Sequence, residues 1–367
     1  MDTSEIVKMM NKKYFITLSP LDWFFFGGEK TFGEGEKSEY FVHSNYFPQQ
    51  SAILGMLRYQ LLKQHRLLIE DIKPEDREKK QDEGGEIEQL IGKQSFNMNC
   101  LHEKFAYGKI KKISPLSIYH LHKGEFYYPL ALDEGYSVHF DENVRVSLNG
   151  IVKDKVVDSE CFNHKMYSNY CLWKNSETGD IIHSRNIWLA KTQIGITKMQ
   201  PDKQDDEKNF YKQEVLRLQN NFVYAFWVEL EEEVLSDKVF LGGQRSVFDM
   251  KVTSIDREQD IEELFKTKAV CYSGNTGKII LLSDTFIEKI EELNRLCDFH
   301  WSYPSEFRNI ETTVRETNYY KKPVKSSVKY YFFQRGSVFY FHPGQRSNIE
   351  KLINNAYLQA IGYNIYK

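Results

Sequence analysis

The sequence predicts an α+β fold of two βαββαβ units with antiparallel sheets, and three observations predict it. The opening reads strand, loop, helix: a β-prone run from Tyr14 to Leu18, the glycine-rich stretch Gly27-Gly28-Glu29-Lys30-Thr31-Phe32-Gly33, and a helix after Pro48. The middle holds the two arms of a long hairpin with a polar tip, and then a strand of alternating aromatic and apolar residues. The end carries an aromatic hairpin and a short amphipathic helix. At 367 residues the chain is long for one core, and its 41% hydrophobic content suffices for two.

The first helix follows from Pro48, whose missing N–H costs nothing in a first turn, and from Ile53, Leu54, Leu57, Leu61 and Leu62 at helical spacing over residues 48–65. The stretch from Lys73 to Gly85 is too charged to bury and reads as a surface insertion. Residues 109–140 alternate β-prone runs with turns, as in Phe126–Leu130 and Ser137–Phe140, and predict a β-rich insertion. Gln193–Thr197 and Val215–Leu218 flank a charged loop and predict hairpin arms. In Asn221–Leu230, Phe222, Tyr224, Phe226, Val228 and Leu230 alternate with Val223, Ala225 and Trp227, so both faces of that strand should be covered. The apolar run Val239-Phe240-Leu241 breaks at Gly242-Gly243, just ahead of Gln244-Arg245-Ser246. Lys278–Leu282 reads as a strand, and Lys329–Phe333 should pair with Ser337–Phe341 across Gln334-Arg335-Gly336. Asn348–Tyr357 completes the set as a helix.

Charge excludes a polyelectrolyte of the histone kind, because charged residues make up 28% of the chain but sum to only -3. The balance is uneven. From Arg315 to Lys367 nine Lys/Arg face two acids, interleaved with aromatic residues that could stack bases while the cations meet phosphates. Lysines on the wet face of a buried aromatic hairpin would give the same composition. Five cysteines without a CxxC pair argue against a disulfide framework, and with neither a signal-like N-terminus nor an apolar run of membrane-span length they predict a cytoplasmic protein.

Several chemistries fit poorly. Gly28-Glu29-Lys30-Thr31 lacks the second glycine of a P-loop, and Gly33 and Gly35 would spoil the helix that should follow. Gly274-Asn275-Thr276-Gly277-Lys278 lacks the hydroxyl residue and reads as a turn. Cys161, His164, Cys171 and His183 have zinc-binding chemistry, but irregular spacing among aromatic residues favours ordinary packing. His120 and His122 share a strand face without an evident third ligand. No metal or cofactor is expected.

Four segments, in order, carry a resemblance. They are PLD…FFGGEKTFG…NYFPQQSAILGMLR in the opening, the hairpin and strand of 194–230, LGGQRS at 241–246, and QRGSVFYF followed by a helix and IGYNIY. Together they resemble the RAMP superfamily of CRISPR-associated proteins, and within it the Cmr-type subunit that holds the five-prime end of a guide RNA. The resemblance implies two ferredoxin-like units: 1–256, with insertions near 66–113 and 114–190 and a thumb-like hairpin at 193–218, and 257–367. It implies RNA contact at Gly242, Gly243, Gln244 and Arg245, with Gln244 standing where an acid is common, and at Arg335, Gly336 and Ser337. Lys30 and Arg58 are carried over from the opening, and Tyr46 or Phe47 would stack a base. The closing glycine-rich element reads here as Gly362-Tyr363-Asn364, with one glycine where two are frequent.

Physically, glycines let backbone N–H groups approach phosphates, and an adjacent arginine offers a planar fork for two oxygens. Such a grip tolerates many sequences, as a guide holder must. The resemblance therefore implies a non-catalytic subunit of a type III-B effector. Its partners would be the five-prime handle of the CRISPR RNA, the large polymerase-like subunit and a backbone RAMP subunit, with no membrane contact. The enzymatic alternative is a metal-independent RAMP endoribonuclease drawing a base from a residue such as His43.

Overall fold

In the computed structural model, which describes residues 11–28, 41–68, 85–134, 145–147, 150–152, 171–196, 210–255, 260–268, 277–311 and 324–367, the opening forms β1 (Lys12–Pro20), β2 (Phe41–Val42) and α1 (Gln50–Gln64). Then come α2 (Glu86–Ile91), β3 (Ile110–Ile113), β4 (Ser117–His120), β5 (Glu125–Pro129), and a small hairpin of β6 (Arg145–Ser147) and β7 (Gly150–Val152). The middle contributes β8 (Leu172–Asn175), β9 (Ile181–His183), β10 (Trp188–Ile196), β11 (Phe210–Leu218), β12 (Phe222–Leu230), β13 (Asp237–Phe240) and β14 (Val247–Ile255). The last part runs α3 (Ile261–Lys268), β15 (Lys278–Ile280), α4 (Ile290–Leu296), β16 (Phe299–Trp301), β17 (Pro304–Phe307), β18 (Ile310–Glu311), β19 (Val324–Lys325), β20 (Tyr330–Phe333), β21 (Val338–Tyr340), α5 (Arg346–Ile353) and α6 (Ala356–Gln359). The class is mixed α+β, rich in strands.

The frame is a sheet of order β13-β14-β1-β12-β4-β5-β8-β9, with β3 also on β12. Strand β1 sits between β12 and β14, antiparallel to both. Its period-two pattern sends Tyr14, Ile16 and Leu18 to one face, where Tyr224, Phe226 and Val228 of β12 join Ile53, Leu54, Leu57 and Leu61 of α1. The other face carries Phe15, Phe126, Ala225 and Trp227, packed on Ile261, Leu264 and Phe265 of α3 and on Ile280, Leu282, Val338 and Ile365. Both faces of β12 are thus covered, as its alternation predicts. Each such large apolar side chain contributes about 1.5–3 kcal/mol by burial.

In the last part, β21 pairs with β15 and with β16. The C-terminal residues close the edge beside β15 through a Leu281–Tyr366 bridge and reciprocal Ile280–Lys367 backbone bonds. Helices α4 and α5 cover this sheet with Leu293, Ile349 and Ile353 against Ile279, Phe339 and Phe341.

Three expectations change. Strands β3 and β4 hydrogen-bond directly to β12, so residues 110–120 belong to the central sheet and not to an insertion. The late aromatic hairpin does not pair with itself. Strand β20 pairs with β17 while β21 enters the three-stranded sheet, so Gln334-Arg335-Gly336 is a crossing between two sheets. The final helix breaks at Asn354, and the Asn355 side chain caps α6 by accepting from the Leu358 N–H at 3.0 Å. The charged stretch at 73–84, the runs at 137–140 and 274–276 and the boundary at Asp256 lie outside the described residues. Among the described residues no helix is long and apolar enough to cross a membrane.

Candidate nucleic-acid interface

Strands β10 and β11 form the expected hairpin, in register from Trp188↔Leu218 to Ile196↔Phe210, while its tip, 197–209, lies outside the described residues. The base of the hairpin is pinned to the opening loop: Phe24 and Leu216 exchange both backbone hydrogen bonds at 2.8 Å. The loop alternates. Phe24 and Phe26 are buried against Tyr224 and Phe248, whereas Trp23 and Phe25 stay partly exposed. Lys191 of β10 lies over the Trp23 ring at 5.8 Å, a cation–π contact at the surface.

Against this loop sits the turn after β13. Gly242 has φ +87°, and a Cβ there would stand 2.6 Å from the Phe25 carbonyl oxygen. Only glycine fits at that approach. Gly243 donates its N–H to the same carbonyl at 2.8 Å, and Arg245, itself at φ +53°, is exposed. Among the described residues no hydrogen-bond or ion-pair partner is found for Arg245. Gln244 occupies the middle of the same 3₁₀ turn. The elements converge: hairpin base, aromatic loop and glycine turn form one surface with Trp23, Phe25, Lys191 and Arg245 on it.

That surface continues into a cleft. Phe26 donates its N–H to Ser44 Oγ at 2.9 Å, and the Asn45 N–H reaches the Phe26 carbonyl at 2.9 Å. Asn45 then lines a cleft with Phe47, Trp173, Asp284, Gln334 and Arg335, framed by Pro48, Pro129, Leu130 and Leu132.

The remaining expected contacts turn inward. Arg58 is half-buried, with side-chain bonds to Ile91 O (3.0 Å), Ser95 Oγ (3.0 Å) and Gly92 O (3.4 Å), and desolvation pulls its pKa below the ordinary arginine value. It ties α1 to α2 and the residues after it, so its donors are not turned to a phosphate. Arg335 lies over Phe47 at 4.1 Å, donates Nη1 to Leu116 O at 2.8 Å and pairs Nε with Asp284 Oδ1 at 3.4 Å. Gly336, at φ +86°, packs on Leu130, and its carbonyl accepts from Leu132 N–H at 3.0 Å. Ser337 is fully buried and donates Oγ–H to Gln334 O at 2.6 Å. This crossing therefore holds the sheets together, whereas the resemblance implies RNA contact at Arg335, Gly336 and Ser337.

Tyr46 packs tilted against Trp188 at 4.5 Å and bonds Ser184, and Phe47 stacks on Trp173 at 5.6 Å, so both rings are engaged within the protein. Gly362 packs at φ +88° on Ser114, Pro115 and the Gln50 side chain, a role in the core and not a cradle. Lys30, Cys161 and His164 lie outside the described residues, among which no group of metal-ligand residues forms. Trp23, Phe25 and Lys191 were not anticipated; the alternation of Trp23-Phe24-Phe25-Phe26 before two glycines was the available signal.

A family model described as CRISPR-associated protein (Cas_Cmr3) matches residues 16–364. Among solved structures the chain is similar to a chain of the type III-B Cmr-beta complex bound to cognate target RNA, at 14% identity and TM-score 0.48, covering 96% of this chain and 95% of that one. It is likewise similar to a chain of that complex with target RNA and AMPPnP, at 15% identity and TM-score 0.49, again over 96% and 95%. A chain of the Csm3–Csm4 subcomplex of a type III-A interference complex aligns at 10% identity and TM-score 0.33 over 91% and 93%. No curated protein matches.

Proposed function

Because the chain belongs to the Cas_Cmr3 family of CRISPR-associated proteins, we propose that it is the subunit of a type III-B effector that grips and caps the five-prime handle of the guide RNA. The observation that carries this reading is the exposed Arg245 on a glycine turn, set beside Trp23, Phe25 and Lys191 at the foot of the long hairpin. Cations and partly exposed aromatic faces in one strip suit a single strand, whose phosphates and bases they meet alternately. The turn itself reads no sequence, because phosphate contacts position a strand without naming its bases.

The same reading takes the chain as two ferredoxin-like units. The pairing order supports it: β14-β1-β12-β4 in the first part and C-terminal segment-β15-β21-β16 in the second both follow the order fourth, first, third, second. Between β12 and β14 the second helix of such a unit is replaced by β13 and the glycine turn, which brings Arg245 to the sheet edge. The hairpin would bend the guide, and catalysis would belong to a polymerase-like partner subunit, with a backbone RAMP subunit on the other side.

Salt-dependent RNA binding tests the grip. Arg245→Gln should weaken handle RNA binding across all sequences and flatten the plot of log affinity against log salt by about 0.7, one single-strand phosphate contact. Equal affinity and slope would remove Arg245 from the site. The endoribonuclease alternative rests on His43, whose Nδ1 lies 3.3 Å from Glu214 Oε1. Cleavage of repeat RNA that is lost in His43→Ala would favour it.

A further inference from the structure

The long hairpin leaves one strand edge open. Strand β11 is covered on its far side, where Leu216 exchanges both backbone hydrogen bonds with Phe24 and where Lys212 and Gln213 pair with β2. Leu216 therefore turns its N–H and C=O away from β10, and Ala190, its register partner, turns its own away from β11. By alternation the same holds for Thr192 and Ile194. Among the described residues no backbone partner is found for any of the three.

Edge strands are ordinarily blunted by prolines, bulges, outward lysines or shortness. Strand β10 runs nine residues in unbroken register without proline, and its one lysine lies over the Trp23 ring. Leu189 and Ile194 are 47% and 63% exposed on it, with Ala190 and Thr192 exposed between them. By contrast β13, an outer edge of the main sheet, has four residues with Lys238 exposed among them. A bare edge as long as β10 is a template for another strand.

The side chains select that strand. In an antiparallel pairing of β10 with its own copy, a centre on Thr192 sets Ala190 opposite Ile194, Leu189 opposite Gly195 and Lys191 opposite Gln193. Each large apolar side chain then meets a small residue, the two threonines meet on the axis, and no like charges oppose. A centre on Lys191 would set that ammonium against its own copy, and a centre on Gln193 would carry Leu189 past the end of β10. Residues 189–195 are all at least partly exposed, and Thr192 is their midpoint. Antiparallel pairing also carries the rest of each chain to opposite ends of the shared ribbon.

We propose that the free edge of β10 pairs with β10 of a second copy of this chain, about a two-fold axis at Thr192, and joins the two hairpins into one continuous sheet. The pairing covers, in the free chain, an edge that would otherwise seed aggregation. It does not rest on the RNA-gripping reading, and Arg245 takes no part in it.

Sedimentation velocity on the full chain, freed of nucleic acid, should show a reversible monomer–dimer equilibrium over about 1–100 µM, as expected of a small interface. Thr192→Lys and Thr192→Glu each put like charges on the axis and should weaken the dimer about fivefold or more. An equimolar mixture of the two variants should restore it, because a lysine then faces a glutamate. Only an axis at residue 192 predicts that rescue. Circular dichroism and thermal unfolding that match the parent chain show that both variants fold. A parent chain that stays monomeric throughout, as it would if the edge served a strand of another protein or an RNA, overturns the proposal. So does a dimer that survives both substitutions, or a mixture that fails to pair. The salt slope of Arg245→Gln judges the grip separately.

Discussion

Arg335, a residue the resemblance places on RNA, is committed instead to contacts within the fold. Its guanidinium caps the Phe47 ring, bonds Leu116 O and balances Asp284, with only 11% of the side chain exposed. Removing one member of so buried a pair leaves the other charge uncompensated, which costs about 3–5 kcal/mol. Arg335→Ala should therefore lose about 3 kcal/mol in urea unfolding, and Arg335→Lys should recover little, because an ammonium cannot lie flat on Phe47 while reaching both acceptors. A loss under about 0.5 kcal/mol would contradict this account. His300 makes a second residue-scale prediction. It is buried between Phe333 and Phe339 with Nε2 unpartnered, and burial pulls its pKa from the ordinary 6.5 to about 4. The unfolded chain binds the proton more readily, so this residue's contribution is complete above pH 6.5 and is lost as pH falls toward about 4. The loss amounts to about 3 kcal/mol, and His300→Phe should flatten the stability profile across that window.

At the scale of elements, the glycine bends divide into two kinds that share one signature. Gly242 brings a turn against Phe25 and leaves Arg245 at the surface, whereas Gly362 lets the C-terminal segment lie on Ser114 and Pro115, where a Cβ would stand 2.7 Å from backbone atoms. Gly362→Ala combines that clash with a left-handed φ and should cost about 3 kcal/mol or more, read as a lowered urea midpoint without loss of RNA affinity per folded molecule. An unchanged midpoint would mean that the segment can move aside. In sequence both bends are a glycine beside polar or aromatic residues, and only the assembled fold distinguishes a bend that leaves its neighbours exposed from one that packs in the core. Helix α1, strand β12 and the β10–β11 hairpin were legible because their periodicity is long enough to encode both element and face. The β20–β21 pairing was misread because four-residue apolar runs carry no record of their partner. The orphaned Nε1 of Trp173 and Oε1 of Gln334 were illegible for the same reason: satisfaction of a polar group is a property of the assembled fold.

At the scale of the whole molecule, the apolar clusters run across the boundary proposed near residue 256. Phe307, Phe332, Tyr357, Ile361 and Tyr363 pack into the cluster under α1, while Ile280, Leu282, Val338 and Ile365 cover the opposite face of the main sheet beside Trp227 and Phe126. The Tyr107 and Tyr357 hydroxyls meet at 2.6 Å across the same seam, and Lys278 and Tyr340 both bond the buried Asp133. With about 1.5–3 kcal/mol of burial resting on each large side chain at the seam, the two proposed units should not be stable apart. Urea unfolding of the intact chain should then be one transition, coincident by tryptophan fluorescence and far-UV circular dichroism. A fragment ending at residue 256 should bind a hydrophobic dye and aggregate, since it uncovers Trp227, Phe126 and Tyr128 on one sheet face. Two separated transitions, or a soluble fragment with native fluorescence, would show that the units fold apart and that the cleft between Trp173 and Gln334 is free to open.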